Sequence, residues 1–340
     1  MGIVLQILGA MFLALILAIV VLFLVIRAKA RRFLKTLGTM VEQAQQAAGA
    51  PARIELVPMA VNDWDDPDTV QEQASALAAL GFEKAGDFEV RPVDGLRVEA
   101  WMKPAEAITA VIYEHPQAGI WTDLYTHYED GSRITYLNSS AGGGVDHAPG
   151  HDVERLPGLD PAELYRKLLA ERPQKPMKHY ALSNFAGIFE KAYADDMDWR
   201  NARGGPTERE MRAVAALSGD SYSEENLEAA RELLAARAAE QLTDSLREKF
   251  LAQSGMTAAD WERVRDRVVI IHDRLTGDML GDILSEYADE DDLDGFDFDS
   301  DAPARERFAA YNAQRPSERR FELLGTVAEP IEANVYRAPS

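Results

Sequence analysis

The hydrophobic pattern changes character along the chain, and each change predicts a different kind of element. Ile3 to Ile26 is an unbroken apolar run of 24 residues in which Gln6 is the only clearly polar side chain. A helix of that length spans about 36 Å against a hydrocarbon core of about 30 Å, so the run predicts a transmembrane helix that crosses with some tilt. A signal peptide needs a basic start, a shorter apolar core and a small-x-small cleavage site. Residues 1–6 hold no Lys or Arg, and the run ends in Val-Ile-Arg-Ala-Lys-Ala-Arg-Arg, which favours a retained anchor. Ala10, Ala14 and Ala18 recur every four residues within the run, a spacing that lets two helices pair closely. Phe33, Leu37, Met40, Val41 and Ala44 then fall on one helical stripe, which predicts a juxtamembrane helix over 27–50 that ends at Gly49-Ala50-Pro51.

From Arg53 the pattern shortens. Residues 54–59 read as a strand, and Asp65-Asp66-Pro67-Asp68 starts a helix that stops at Leu80-Gly81. A period of two follows: Leu96, Val98, Ala100 and Met102 alternate with Arg97, Glu99, Trp101 and Lys103. Strands are also predicted at Phe88–Arg91, Ile108–His115, Trp121–Tyr128 and Arg133–Leu137, with hairpin turns at Asp94-Gly95 and Asp130-Gly131. One helix and about five meandering strands predict an antiparallel sheet folded over a helix across 51–140. Residues 141–176 read as a Gly/Pro/His-rich loop, a short helix capped by Asp160 with Pro161 at its first position, and a linker at Pro173–Pro176.

Beyond the linker, 178–195, 207–217, 223–253 and 257–287 carry helical spacing, so 177–287 is predicted to be a helical domain. Its two longest helices would form an antiparallel hairpin about Ser254-Gly255. An acidic loop (288–302), a short helix near 303–313 and an extended tail to 340 complete the chain. The expected fold class is thus α+β: an N-terminal transmembrane helix, a helix-plus-antiparallel-sheet domain, then an α-helical C-terminal domain.

Charge orients this arrangement. Arg27, Lys29, Arg31, Arg32 and Lys35 follow the apolar run and nothing basic precedes it. Basic residues stay on the cytoplasmic side, so the expected location is the cell inner membrane, single-pass, with residues 1–2 outside and the C-terminal body in the cytoplasm. The chain has 57 acidic and 36 basic residues, a formal charge of −21, and all the acids lie beyond the collar. A basic collar on anionic lipid beneath an acidic body makes the bilayer one partner and excludes general nucleic-acid binding, which needs a basic face. The absence of Cys excludes disulfides, thiolate metal sites and a Cys nucleophile.

Two clusters carry candidate chemistry. Residues 286–301 hold nine acids and no basic residue. Glu290, Asp292, Asp294, Phe296 (through its carbonyl) and Asp301 fall at positions 1, 3, 5, 7 and 12 of an EF-hand frame with Gly295 at position 6, which would suit calcium. Glu at position 1, Asp at 12 and Asp297 at 8 depart from that frame, and a solvated acidic loop or a docking segment anchored by Leu293, Phe296 and Phe298 are the competing readings. In the loop 141–152, Asp146, His147, His151 and Asp152 could hold zinc or another divalent ion. Pro149-Gly150 rules out a helical pair there, and His115 and His127 would add ligands if they share a face. A flexible polar loop is the ordinary reading of the same residues. Trp101, Trp121 and Tyr125 are candidates for a partner or ligand surface on the aromatic sheet, although aromatic residues usually serve cross-strand packing. His272 reads as a core histidine within 257–287.

No catalytic constellation is present and no cofactor is required, with calcium or zinc the ions these clusters would suit. The expected function is a membrane-anchored accessory or scaffold protein that binds a protein partner or a second copy of itself. The alternative is a membrane-tethered enzyme or a small-ligand or metal sensor using the aromatic sheet and the 141–152 loop.

Overall fold

The computed structural model describes residues 50–59, 64–116, 118–140, 144–217, 224–288, 293, 296–297 and 301–339. The apolar run 3–26, Ala10, Ala14 and Ala18, the basic collar, Glu290, Asp292 and Asp294 lie outside the described residues. Among the described residues, no helix is long and apolar enough to cross a membrane.

The chain forms an α+β fold. Seven strands lie side by side in sequence order: β1 (Glu55–Pro58), β2 (Glu83–Arg91), β3 (Arg97–Lys103), β4 (Ile108–His115), β5 (Gly119–His127), β6 (Arg133–Leu137) and β7 (His151–Arg155). Neighbours are antiparallel except β6 and β7, which pair in parallel with Arg133 opposite His151. β7 therefore lies in the segment expected to be a loop. A parallel neighbour has to be reached by a crossover rather than a tight turn, so no hairpin signal announces it.

Both faces of the sheet are covered. Helix α1 (Pro67–Ala79) is capped by Asp66, which accepts from the Thr69 amide at 3.1 Å. Helix α2 (Pro161–Glu171) starts in a reciprocal capping box between Asp160 and Glu163. These two helices bury Val70, Leu77, Leu164 and Leu168 against Ile108, Ala110, Ile112 and Leu124. The other face carries Leu56, Val90, Val98, Ala100 and Val111 under Phe185, the first residue of α3 (Phe185–Ala202). The cover of α1 and α2 buries the supposed polar side of β3: Glu99 is 4% exposed and Trp101 8%. Glu99 accepts a hydrogen bond from the Trp101 indole at 2.7 Å and pairs with Lys84.

The C-terminal part corrects the helical expectation. Helices α4 (Glu208–Leu217), α5 (Glu224–Ser254) and α6 (Ala258–Val264) lie at or near the expected places, but the predicted helix 257–287 breaks. It contains β8 (Val268–His272) and then α7 (Gly277–Ser285). With α8 (Ala304–Gln314), β9 (Glu322–Val327) and β10 (Ala333–Arg337) the chain completes a second, three-stranded antiparallel sheet in the order β8-β10-β9. Val268 and Ile270 face α5 through Leu242, Leu246 and Phe250, whereas Val269 and Ile271 face α7 and α8 through Leu280, Leu284 and Phe308. A strand buried on both faces shows no period of two, and five continuous apolar residues are ambiguous between helix and strand. The expected helical hairpin does not form.

α3 was expected within the helical domain. It packs on the large sheet as well as on α5, and Asp198 ties the contact together. Its carboxylate meets Arg53 at 2.9 Å, Lys249 at 2.8 Å and the Ser245 hydroxyl at 2.8 Å.

Candidate functional site

Side chains at alternate positions of a strand share one face, and this places Tyr113 (β4), Asp123, Tyr125 and His127 (β5), Arg133 and Thr135 (β6), and His151 and Arg155 (β7) together. α3 crosses above them and contributes Phe189, Ala192, Tyr193 and Asp196, and His147 closes the side from the loop before β7. Between sheet and helix is a cavity of about 230 Å³. A second cavity of about 460 Å³ adjoins it and shares His127, Arg133 and Ala192, with Lys178, Lys191 and Asp195 among its other walls.

One end of the first cavity is a tight polar cluster. Arg133 donates from one terminal nitrogen, Nη2, to His151 Nδ1 at 2.7 Å and to Asp196 Oδ1 at 3.0 Å, and from Nη1 to the Ala192 carbonyl at 3.2 Å. A guanidinium has no acceptor, so His151 Nδ1 offers its lone pair and Nε2 carries the hydrogen. That Nε2 lies 3.2 Å from the Thr135 hydroxyl. His151 Nδ1 is also 3.5 Å from Asp196 Oδ1. The His147 and His151 rings meet edge to face with centroids 5.0 Å apart, and His147 Nδ1 is buried with no hydrogen-bond partner among the described residues.

Burial and neighbouring cations keep these imidazoles neutral. Burial, followed by the charges of Arg133 and Lys178, pulls His127 down to about 4. Burial and the adjacent His151 take His147 to about 4. Burial also lowers His151, against the nearby Asp196 carboxylate, which favours its charged form. Burial works against ionisation of Asp196, but the neighbouring His151 and the charges of Arg133 and Arg200 outweigh it and hold the carboxyl at about 2.

The sheet floor behaves differently. Burial raises Asp123 to about 7, with Arg155 only partly offsetting it, and its Oδ1 has no hydrogen-bond partner among the described residues. Tyr113 stacks on Trp121 across the β4–β5 register with ring centroids 4.7 Å apart and planes 5° from parallel. Burial and the nearby Asp123 push the Tyr113 hydroxyl well above its ordinary value, so it stays protonated.

Of the four loop residues considered for a divalent ion, His147 and His151 come together and the two aspartates do not. Asp146 is held by Arg203 and Arg209, and its amide donates to Glu210 at 2.7 Å. Asp152 follows His151 on β7, so strand alternation turns it to the opposite face, where it is exposed. Asp196 takes the carboxylate position, and His147, His151 and Asp196 place potential ligand atoms within 4.8 Å of one another. Neither loop position next to the histidines hinted at Asp196, which comes from a helix 45 residues downstream of His151. The local signal is the pair Asp195-Asp196: Asp195 pairs with Lys191 at the surface and Asp196 points inward.

His127 lines the cavity, whereas His115 serves the β4–β5 turn, its Nδ1 accepting from the Ala118 amide at 3.2 Å. Tyr125 lines the cavity and Trp121 backs Tyr113, but Trp101 belongs to the opposite face under α1 and α2. Of the calcium candidates, Phe296 is buried in the C-terminal core against Tyr311 and Asp301 is exposed, the other three lying outside the described residues. His272 ends β8 and is fully buried.

Comparison with protein-family models, with curated proteins and with solved structures finds no match to this chain.

Proposed function

We propose that the region built on the seven-stranded sheet is a small-ligand binding module, held at the cytoplasmic face of the inner membrane by the 3–26 segment and its basic collar. The observation that carries this reading is a cavity whose walls hold buried polar atoms without hydrogen-bond partners among the described residues. Asp123 Oδ1 and His147 Nδ1 are two such atoms in a space of about 230 Å³. An unmade hydrogen bond on a buried polar group costs about 1–3 kcal/mol, so two such atoms facing one space favour an occupant that completes them. Arg133 and Arg155 set the polarity: with Asp123 able to hold its proton near neutrality, they favour a ligand with a negative group. The volume lies below the roughly 300–1,000 Å³ of drug-sized sites, which restricts the ligand to a small one.

The expectation of a scaffold that docks a protein partner or a second copy finds less support. Among the described residues, Leu233 and Leu323 are the large apolar side chains that stand substantially exposed, and they lie on different elements. An apolar docking patch needs a contiguous surface.

A thermal-shift panel on full-length protein in detergent micelles, with small carboxylates, phosphates and neutral polar compounds, tests the reading. A ligand at a hundredfold excess over Kd adds about 2.7 kcal/mol of stability. At least one anionic compound is expected to raise Tm by roughly 5–10 °C, and R155Q is expected to remove that shift. A panel without any shift, or a shift identical in R155Q and Y113A, contradicts it.

A further inference from the structure

We infer that His147, His151 and Asp196 form a three-ligand site for a divalent transition-metal ion, with the Arg133 guanidinium standing in the ion's position until it binds. The inference rests on the reading of the cavity as a ligand site and specifies what lies at its polar end.

The donor set has the right chemistry. Two imidazoles and one carboxylate suit zinc and its first-row neighbours, whereas calcium and magnesium prefer all-oxygen sites. Three protein ligands leave coordination positions open, which is the arrangement of sites where a metal meets a bound small molecule.

The geometry is close to a loaded site. Two ligands on a tetrahedral ion, each at about 2.1 Å from it, stand about 3.4 Å apart. His151 Nδ1 and Asp196 Oδ1 stand 3.5 Å apart. His151 already has the required tautomer: its Nδ1 lone pair points at Asp196 and Arg133, and Nε2–H lies toward Thr135 Oγ1. A metal-ligating histidine needs just such an acceptor on its second nitrogen. His147 supplies the third ligand, and its buried Nδ1 has no partner among the described residues.

Arg133 is the part that has to move. A single nitrogen of its guanidinium bridges His151 Nδ1 and Asp196 Oδ1, so one positive charge already satisfies the two groups a metal would use. Arg133 also lines the adjoining cavity of about 460 Å³, where Asp195 lies, and that space can receive the displaced side chain. The ion and the arginine thus compete for the same two atoms.

The test is titration of full-length, untagged protein in detergent micelles with cobalt(II), followed by visible absorption, and with zinc(II), followed by calorimetry. One ion per chain is expected, with ligand-field bands that H147A and D196N each abolish. R133Q removes the competing charge and is expected to tighten binding at least about tenfold. Circular dichroism of each variant shows whether it is folded, and H147A, on a loop, provides a second variant if D196N is not. Absence of binding in both wild type and R133Q, or bands that persist in folded H147A, overturns the inference. A small-ligand thermal shift that survives in wild type while no metal binds also overturns it, and leaves the cavity reading standing.

Discussion

Arg133 and His151 face each other across the β6–β7 register, and the guanidinium nitrogen lies 2.7 Å from His151 Nδ1. This contact fixes the histidine's protonation, since the arginine can only donate. Long-range proton–nitrogen correlation spectra at pH 7 are expected to show His151 neutral, with Nε2 protonated and Nδ1 bare. A doubly protonated ring at that pH would contradict the arrangement of the whole cluster.

Asp123 gives the pH dependence an unusual sign. Its folded pKa of about 7 stands above its ordinary 3.8. Between those values the folded protein holds a proton that the unfolded chain releases, so this group's contribution is full at low pH and is lost as pH rises through 7. D123N, which stays neutral, is expected to melt higher than wild type at pH 8 and to match it near pH 4. A rise from 3.8 to about 7 corresponds to about 4 kcal/mol, so the difference at pH 8 would be roughly 8–16 °C. An equal Tm difference at both pH values would show that the carboxyl does not titrate as described.

His272 acts in the opposite direction. Its Nδ1 accepts from the Arg274 amide at 3.3 Å, and its Nε2 lies 2.9 Å from the Thr243 hydroxyl, which itself donates to the Ala239 carbonyl at 2.9 Å. Both ring nitrogens are therefore satisfied in the neutral form. Burial lowers the group from 6.5 to about 4. The unfolded chain takes up a proton first, so stability is lost as pH falls from about 6.5 toward 4. Chemical denaturation of H272Q across that interval should give a shallower dependence than wild type. T243V, which strands Nε2–H, should lose about 1–3 kcal/mol at pH 7.

The start of α2 supplies a local test away from the cavity. The Glu163 amide donates to Asp160 at 2.7 Å, and the Asp160 amide donates to Glu163 at 3.1 Å. D160A removes one half of this capping box and is expected to cost about 0.5–2 kcal/mol. The variant should retain the ligand response of the cavity, because α2 covers the opposite face of the sheet. Loss of that response with the fold intact would mean the two faces are coupled.

The degree to which the sequence foretold the structure follows the locality of the physics. The helix starts at Asp66 and Asp160 are legible because a cap is a contact over three residues. The strands β2 to β6 were legible from alternation and from turns such as Asp130-Gly131, where Gly131 has φ +86°. β8 was not, because its surroundings on both faces erase the alternation that marks a strand. β7 was not, because its partner β6 is reached by a crossover. In the cavity, His147 and His151 were singled out as possible ligands, but Asp196 was missed. Its place depends on how α3 lies across the sheet, which no local spacing encodes. Asp146 does not join the cluster because its three arginine and glutamate partners come from α4 and the turn before it.

The central claim is that the space between the sheet and α3 holds a small ligand. Native mass spectrometry of full-length protein, extracted from its own membranes in mild detergent, tests it most directly. The account predicts the chain together with an additional small bound mass, and predicts that this mass is missing from a folded Y113A/R155Q double variant. Wild type observed only as the bare chain, or an adduct retained unchanged in the double variant, would contradict it.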